Sequence, residues 1–286
     1  MTGEPQMLQY SISTMVRTWT LVAVLSLCVV LGAAAEDGWG LTLGGGAYVS
    51  NVYSGADEFF LSPLPVARAS YKSGKVEVFA STLDGLGFLY VDMEGHLFAS
   101  AGVNLGERRD SEEYDAIFVR MDHRADTARY LAGTPTAWNP AYGFGMLGWI
   151  SPIGIFASAL YYQPTLLSGD ADELFHAFIP SLFYLAPVQV TEKFKLTTLL
   201  SLDFMDSRYA EAWYSVEEAT GELEEFHAEA GLRGVQLILQ AEYFLTEHVS
   251  VGALASNLYL LKDAADSPYT RSPYRLKAGL YLAYTF

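Results

Sequence analysis

From Tyr274 to Phe286 the chain alternates with a period of two. Tyr274, Leu276, Ala278, Leu280, Leu282, Tyr284 and Phe286 fall on one face, and Arg275, Lys277, Gly279, Tyr281, Ala283 and Thr285 fall on the other. That period belongs to a β-strand, whose successive side chains point to opposite faces. The run is longer than strands of soluble sandwiches usually are and carries aromatic residues near both ends. It predicts a strand with one face against hydrocarbon and the other against a polar interior.

Three further segments read the same way. Phe194, Leu196, Leu200, Leu202 and Phe204 alternate with Lys195, Thr197, Ser201 and Asp203. Val235, Leu237, Leu239, Ala241, Tyr243 and Leu245 alternate with Gln236, Gln240 and Glu242, and after Thr246-Glu247-His248 the residues Val249, Val251, Ala253, Ala255 and Tyr259 alternate with Ser250, Gly252 and Ser256. The short spacing predicts an antiparallel hairpin. A charge facing lipid at mid-bilayer costs ~2–4 kcal/mol, so the apolar faces point outward and Lys195, Asp203, Gln236, Gln240 and Glu242 line a lumen.

Weaker strand patterns cover residues 41–49, 61–71, 76–82, 86–92, 97–105, 142–150, 153–161 and 178–186. The fold class is therefore all-β: a transmembrane antiparallel β-barrel of about twelve strands, an even number as in bacterial barrels. Such barrels join their strands by short inner turns and longer outer loops. Here the expected inner turns are 71–75, 92–96, 150–153, 187–193 and 246–248, and the outer connections are 50–60, 82–86, 106–140, 163–176, 205–234 and 261–273. All but 82–86 of the outer set are long. The alternate faces of the last strand, with Leu280, Leu282, Tyr284 and terminal Phe286, resemble the C-terminal signal by which the barrel assembly machinery recognises its substrates.

The longest uninterrupted apolar run lies between Thr20 and Ala35. Arg17 before it, the core from Leu21 to Leu31, and the small residues Ala33-Ala34-Ala35 read as a cleavable signal peptide over residues 1–35, with Met15 a plausible start. Cleavage between Ala35 and Glu36 leaves residues 36–286 as the barrel domain. The single cysteine, Cys28, falls inside the leader, so neither disulfides nor thiolate chemistry are available to the mature chain. A net charge of −16 excludes nucleic acid as a partner, because phosphate binding requires clustered Lys and Arg.

No cofactor is implied. His96, His123, His176, His227 and His248 are scattered one to a region, and none stands in a motif typical of barrel hydrolases, so the chain reads as a non-enzyme. Asp170, Asp172 and Glu173; Glu217 and Glu218; Glu222, Glu224 and Glu225; and Asp263 with Asp266 make the outer loops acidic. Carboxylates at this density suit divalent cations that bridge lipopolysaccharide phosphates, but their spacing matches no defined calcium loop, and a solvated, self-repelling loop surface is the simpler reading.

With the strands placed, several segments resemble the MipA/OmpV family. The most specific is Leu260-Leu261-Lys262-Asp263-Ala264-Ala265-Asp266-Ser267-Pro268, which is similar to the family's last outer loop. Tyr53-Ser54-Gly55-Ala56-Asp57 followed by Pro63-Leu64-Pro65 resembles its first outer loop and the next strand. Tyr209, Tyr214 and Val216, then Ala230-Gly231-Leu232 and Leu245-Thr246-Glu247-His248, resemble the fifth loop and its hairpin. Lys262 stands where glycine is usual in the family, and Trp213 and Ser215 stand where Phe and Gly are frequent. The resemblance implies an outer-membrane scaffold for murein-remodelling enzymes, with a lytic transglycosylase and a peptidoglycan synthase as protein partners. A narrow channel through the polar lumen, and a surface role for the loops against lipopolysaccharide or other cells, remain as alternatives. Outer-membrane lipid and lipopolysaccharide are partners on any of these readings.

Overall fold

A computed structural model describes residues 37–109, 125–168 and 173–286. The leader with Ala33 and Ala35, and also His123, Asp170 and Asp172, lie outside the described residues. Twelve antiparallel strands close into a barrel: β1 (Gly38–Asn51), β2 (Phe59–Ser73), β3 (Val76–Ser81), β4 (Gly85–Asp92), β5 (Leu97–Leu105), β8 (Ala141–Ser151), β9 (Gly154–Ser168), β10 (Glu173–Thr191), β11 (Phe194–Met205), β12 (Gly231–Phe244), β13 (Val249–Leu260) and β14 (Tyr274–Thr285). Two short strands, β6 (Arg108–Arg109) and β7 (Thr136–Trp138), extend the wall above β5 and β8, with β7 pairing to the top of β9.

The seam lies between β1 and β14, from Thr42 opposite Thr285 to Ser50 opposite Lys277. Two hydroxyls, Thr42 Oγ1 and Thr285 Oγ1, meet at 2.7 Å there, and the Phe286 N–H donates to Leu41 O at 2.8 Å. Close approach at this seam requires glycine: a Cβ on inward-facing Gly46 would stand 1.9 Å from Leu280 O.

Orientation follows from exposure. Leu280 and Leu282 are 65% and 54% exposed, while Tyr281 and Ala283 between and beyond them are 6% and 2% exposed. The apolar face points outward, where lipid covers it. Aromatic pairs mark the edges of this belt, Tyr259 with Tyr274 at the outer side and Tyr284 with Phe286 at the inner side. From Tyr274 to Tyr284, at ~3.4 Å per residue and ~40° tilt, the height is ~26 Å, close to the ~25 Å apolar band of outer-membrane barrels. No described helix is long and apolar enough to cross a membrane; the strands make the crossing.

All twelve expected strands are present, and two connections differ from expectation. The fourth outer connection is not a long loop over 163–176, because β9 runs on to Ser168 and β10 begins at Glu173. Thr165 pairs with Phe175 there, and both side chains turn inward and are buried, which stabilises the extension. The inner turn at 187–193 shrinks to 192–193, since β10 continues to Thr191.

The lumen also differs from a uniformly polar one. Inward-facing Phe98, Ile150, Ala157, Ala159 and Phe183 form a buried apolar cluster with Leu89, Met146, Tyr161 and Leu199 around them. Both faces of β8–β10 are rich in apolar residues, so alternation is weak in that arc and the sequence signal fades with it.

Candidate functional site: the lumen and its outer cap

The polar residues expected in the lumen are all on inward faces by register, strung along β11 and β12. Asp203 Oδ1 accepts hydrogen bonds from Ser181 Oγ at 2.7 Å and Ser201 Oγ at 3.1 Å. Glu242, opposite Lys195, accepts from Ser250 Oγ at 2.8 Å. Gln240 Nε2 donates to Tyr281 OH at 3.2 Å, and Gln236 lies opposite Ser201. These groups are spread over the height of the wall and do not converge on one centre. Among the described residues no three His, Cys, Asp or Glu side chains are grouped to hold a metal ion.

The four described histidines each have a local contact. His96 Nδ1 meets Ile150 O at 3.1 Å, His176 Nδ1 meets Tyr162 OH at 2.6 Å, His227 meets Glu225 at 3.1 Å, and His248 Nδ1 meets Thr285 O at 2.9 Å. His248 also stacks on Tyr284, so this turn residue holds the end of the chain.

Sequence reasoning missed the largest feature, a folded cap over the outer mouth. Its centre is helix α2 (Ser207–Tyr214), which follows β11 directly. Asp206 caps it, accepting from Tyr209 N at 2.7 Å with one carboxylate oxygen and from Phe178 N at 2.8 Å with the other. Tyr209, Ala210, Ala212, Trp213 and Tyr214 are buried against Phe175, Ala177, Ile179, Leu258 and Leu260 of the wall. Trp213 Nε1 donates to Thr165 Oγ1 at 3.1 Å.

Arg109 satisfies the far end of α2. Its guanidinium donates to Trp213 O and, at 3.5 Å, to Ala212 O, the orphan carbonyls and negative pole of the helix C-terminus. It also lies 3.6 Å from the ring centre of Tyr269. Burial lowers the proton affinity of Arg109, and the oxygens of Tyr269, Tyr53, Tyr214 and Tyr209 oppose that effect. Below the cap, a bulge between Asp203 and Phe204 turns Arg233 inward, where Nε donates to Tyr214 OH at 3.2 Å and the guanidinium sits over Tyr209. Glu107 and Arg275 form an ion pair beside it.

The family-like loop is the cap's second wall. Asp263, Ala264, Ala265 and Asp266 form the single turn α3 (Asp263–Asp266); helix α1 (Ala125–Tyr130) lies in the third outer loop. Ala264 is fully buried, and Ala265 packs beside α2. Asp263 Oδ2 accepts from Glu229 N at 2.8 Å, Ser267 Oγ donates to Tyr214 O at 2.6 Å, and Tyr130 OH donates to Pro268 O. Tyr53 donates to Tyr269 O at 2.9 Å, and burial pushes its phenol far above the ordinary range despite nearby Arg109. Tyr53, Ala56, Leu131, Val216, Leu223 and Tyr269 thus join the first, third, fifth and sixth loops in a second buried cluster.

Hence the outer segments are not simply a self-repelling surface. Their acidic residues lie mostly on the exterior of an apolar cap, as with Glu217, Glu218, Glu222, Glu224 and Glu225. The departures from the family pattern are explained locally. Lys262 has φ 53° and ψ −139°, a conformation that favours glycine, the residue the family resemblance leads one to expect there. Ser215 is extended and uses Oγ to accept from Ala228 N at 2.9 Å, so that position does not require glycine.

Solved structures with a similar fold include a NanC porin (8% identity, 85% of this chain and 98% of that chain, TM-score 0.41). An outer-membrane channel from Pseudomonas putida F1 (12%, 90% and 100%, 0.43) and OmpT of Vibrio cholerae (9%, 90% and 100%, 0.39) are others. No curated protein matches the chain. A closed twelve-stranded barrel with a lipid-facing belt places the protein in the outer membrane of a Gram-negative envelope. Residues 43–286, nearly the whole barrel, match the model of the family described as MltA-interacting protein MipA, and the chain belongs to that family.

Proposed function

We propose that the protein is a non-catalytic outer-membrane scaffold that holds murein-remodelling enzymes, a lytic transglycosylase and a peptidoglycan synthase, at the inner face of the barrel. The family match over residues 43–286 carries this reading, since the family's description names an interaction with another protein. The folded cap supports it from the other side: buried Arg109, Tyr209, Trp213, Tyr214 and Tyr269 occupy the outer mouth where an open channel needs water. The local engagement of His96, His176, His227 and His248 favours a structural use of those side chains over catalysis.

The inner surface constrains how a partner binds. The inner connections are only residues 74–75, 93–96, 152–153, 192–193 and 245–248. A stable interface usually buries ~1,200–2,000 Å², more than such turns offer. The partner therefore lies against the barrel wall through its own lipid anchor, or makes weak contacts that confinement to one membrane strengthens.

Met93 and Ile153 are the exposed apolar residues of two inner turns, 66% and 69% exposed, and are the natural positions for a photo-crosslinking side chain. Crosslinking in intact cells is expected to capture murein hydrolases or synthases well above the level seen with an unrelated barrel of equal abundance. If neither position enriches them, the scaffold reading fails.

A further inference from the structure

Where an inner turn meets the next strand of the wall, the backbone ladder runs almost to the turn at all but one position. Val91 N donates to Lys75 O and Ile150 N to His96 O, each at 2.9 Å. Phe244 N donates to Lys193 O and Thr285 N to His248 O, each at 2.8 Å. The turn at 152–153 is the exception. β9 and β10 pair only as far as Ile155 opposite Leu185, and Tyr184 OH donates to Ile153 O, which holds the turn at that level. β10 runs on to Thr191 in partnership with β11 alone. Its last residues, 187–191, form an overhang ~13 Å high at ~3.4 Å per residue and ~40° tilt.

The overhang has an open backbone edge. Higher on β10, Asp206 N donates to Phe178 O and Phe178 N donates to Asp206 Oδ2, both on the β11 side. Even-numbered residues of β10 therefore turn their N–H and C=O toward β11, and odd-numbered ones turn them toward β9. Beyond Leu185 this leaves the C=O of Pro187 and both backbone groups of Gln189 facing no strand among the described residues. Pro187, Val188, Gln189, Val190 and Thr191 are all exposed, and none carries a charge. Gln189 Nε2 donates to Thr191 O at 2.6 Å and to Phe194 O at 3.5 Å, which stiffens the tip. Pro187 and the bulge after Gln189 bound the edge at its two ends, so it suits one short segment rather than a growing sheet.

We propose that this overhang is where the protein partner docks: an extended segment of a periplasmic murein enzyme adds to β10 beside Gln189, in line with β9. Ile153, Val188 and Val190 are exposed and apolar at the membrane side of this edge, so the residues of the added segment on that side are apolar too. Strand addition draws its affinity from main-chain hydrogen bonds, and therefore needs less surface than the inner turns fail to provide. The inference rests on the scaffold reading above and names the surface and the binding mode.

The test places a photo-crosslinking side chain at Ile153 in intact cells. Capture of murein hydrolases or synthases is expected to fall about five-fold or more in Gln189→Pro, which removes the edge N–H, and to stay within about two-fold in Gln189→Ala, which keeps it. Barrel abundance and the mobility of unheated samples on gels should not change, because an edge tolerates proline. Should Gln189→Pro not assemble, Val188→Lys combined with Val190→Lys charges the same edge and serves with the same expectation. With the captured enzyme purified and bound, amide hydrogen exchange across residues 187–191 is expected to slow about ten-fold or more. Capture at Met93 but not at Ile153, capture at Ile153 that Gln189→Pro leaves undiminished, or unchanged exchange overturns strand addition while the scaffold reading stands. Absence of murein enzymes at both positions overturns the scaffold reading, and this inference with it.

Discussion

The guanidinium of Arg109 lies 3.6 Å from the ring centre of Tyr269 while it donates to the carbonyl of Trp213, so a single side chain ties the third loop to the fifth and sixth. Removing it leaves two buried helix-end carbonyls unsatisfied, a local loss on the order of 3 kcal/mol. Arg109→Ala is expected to loosen the cap and leave the barrel intact. Planar-bilayer recordings should show larger and noisier conductance than wild type, with unchanged strand content by circular dichroism. Arg109→Lys should recover only part of the closure, because an ammonium lacks the planar fork.

The seam gives a second expectation. Gly46→Ala places a methyl group 1.9 Å from Leu280 O, and backbone atoms cannot yield as a flexible side chain would. The fraction of refolded barrel, read from the mobility of unheated samples on gels, should fall several-fold. Gly45→Ala, outward-facing and free of close neighbours, should refold normally.

Phe286 adds one more backbone hydrogen bond to the seam and packs on Tyr284 with ring centres 4.8 Å apart. Deleting Phe286, or replacing both Tyr284 and Phe286 with Ser, is expected to leave the chain in the periplasm for degradation. Outer-membrane fractionation measures this, and normal levels of the variant would show that the last strand is not the assembly signal.

The strands were legible because lipid outside and a partly polar lumen inside impose opposite chemistries on neighbouring residues. Where that contrast weakens, the reading weakens too: Ala157, Ala159 and Phe183 are apolar on the inward face, and Thr165 and Phe175 continue strands that look like loop. The cap was illegible for a different reason. Its helices are single or double turns in acidic segments, too short to show helical periodicity, and their apolar face exists only when four separate loops meet. Two local cues were nonetheless present, the Asp206-Ser207 start before Tyr209 and Trp213, and the paired Arg108-Arg109 in an acidic chain.

Lys262 holds a backbone conformation that glycine adopts without penalty. Lys262→Gly is expected to stabilise the cap by about 1 kcal/mol, measured by urea unfolding followed through the fluorescence of Trp213. A loss of stability would mean that the lysine side chain contributes more than its backbone strain costs.

Glu107 sets the pH response of the cap's underside. Burial acts to raise its pKa, but Arg275, Lys277 and Arg233 outweigh that and hold it below the ordinary 4.5. A depressed carboxylate contributes stability that is present above its unfolded pKa and lost as pH falls through the lower folded one. About a third of the side chain still meets solvent, with 32% exposure, so screening limits the effect. Acidification below the ordinary carboxylate range should therefore release the Arg275 contact and shift Trp213 fluorescence, and Glu107→Gln should abolish that step.

The seam that joins Thr42 to Thr285 brings together residues 243 positions apart. No part of the ring is complete until the final strand has been synthesised, exported and delivered, and contacts of such long range are slow to form. Throughout that interval β1 and β14 are open edges, each ready to pair with a foreign strand. The time between export and closure is therefore when the chain depends most on being chaperoned, and a defect at either edge should appear as lost yield rather than as a weakened finished barrel.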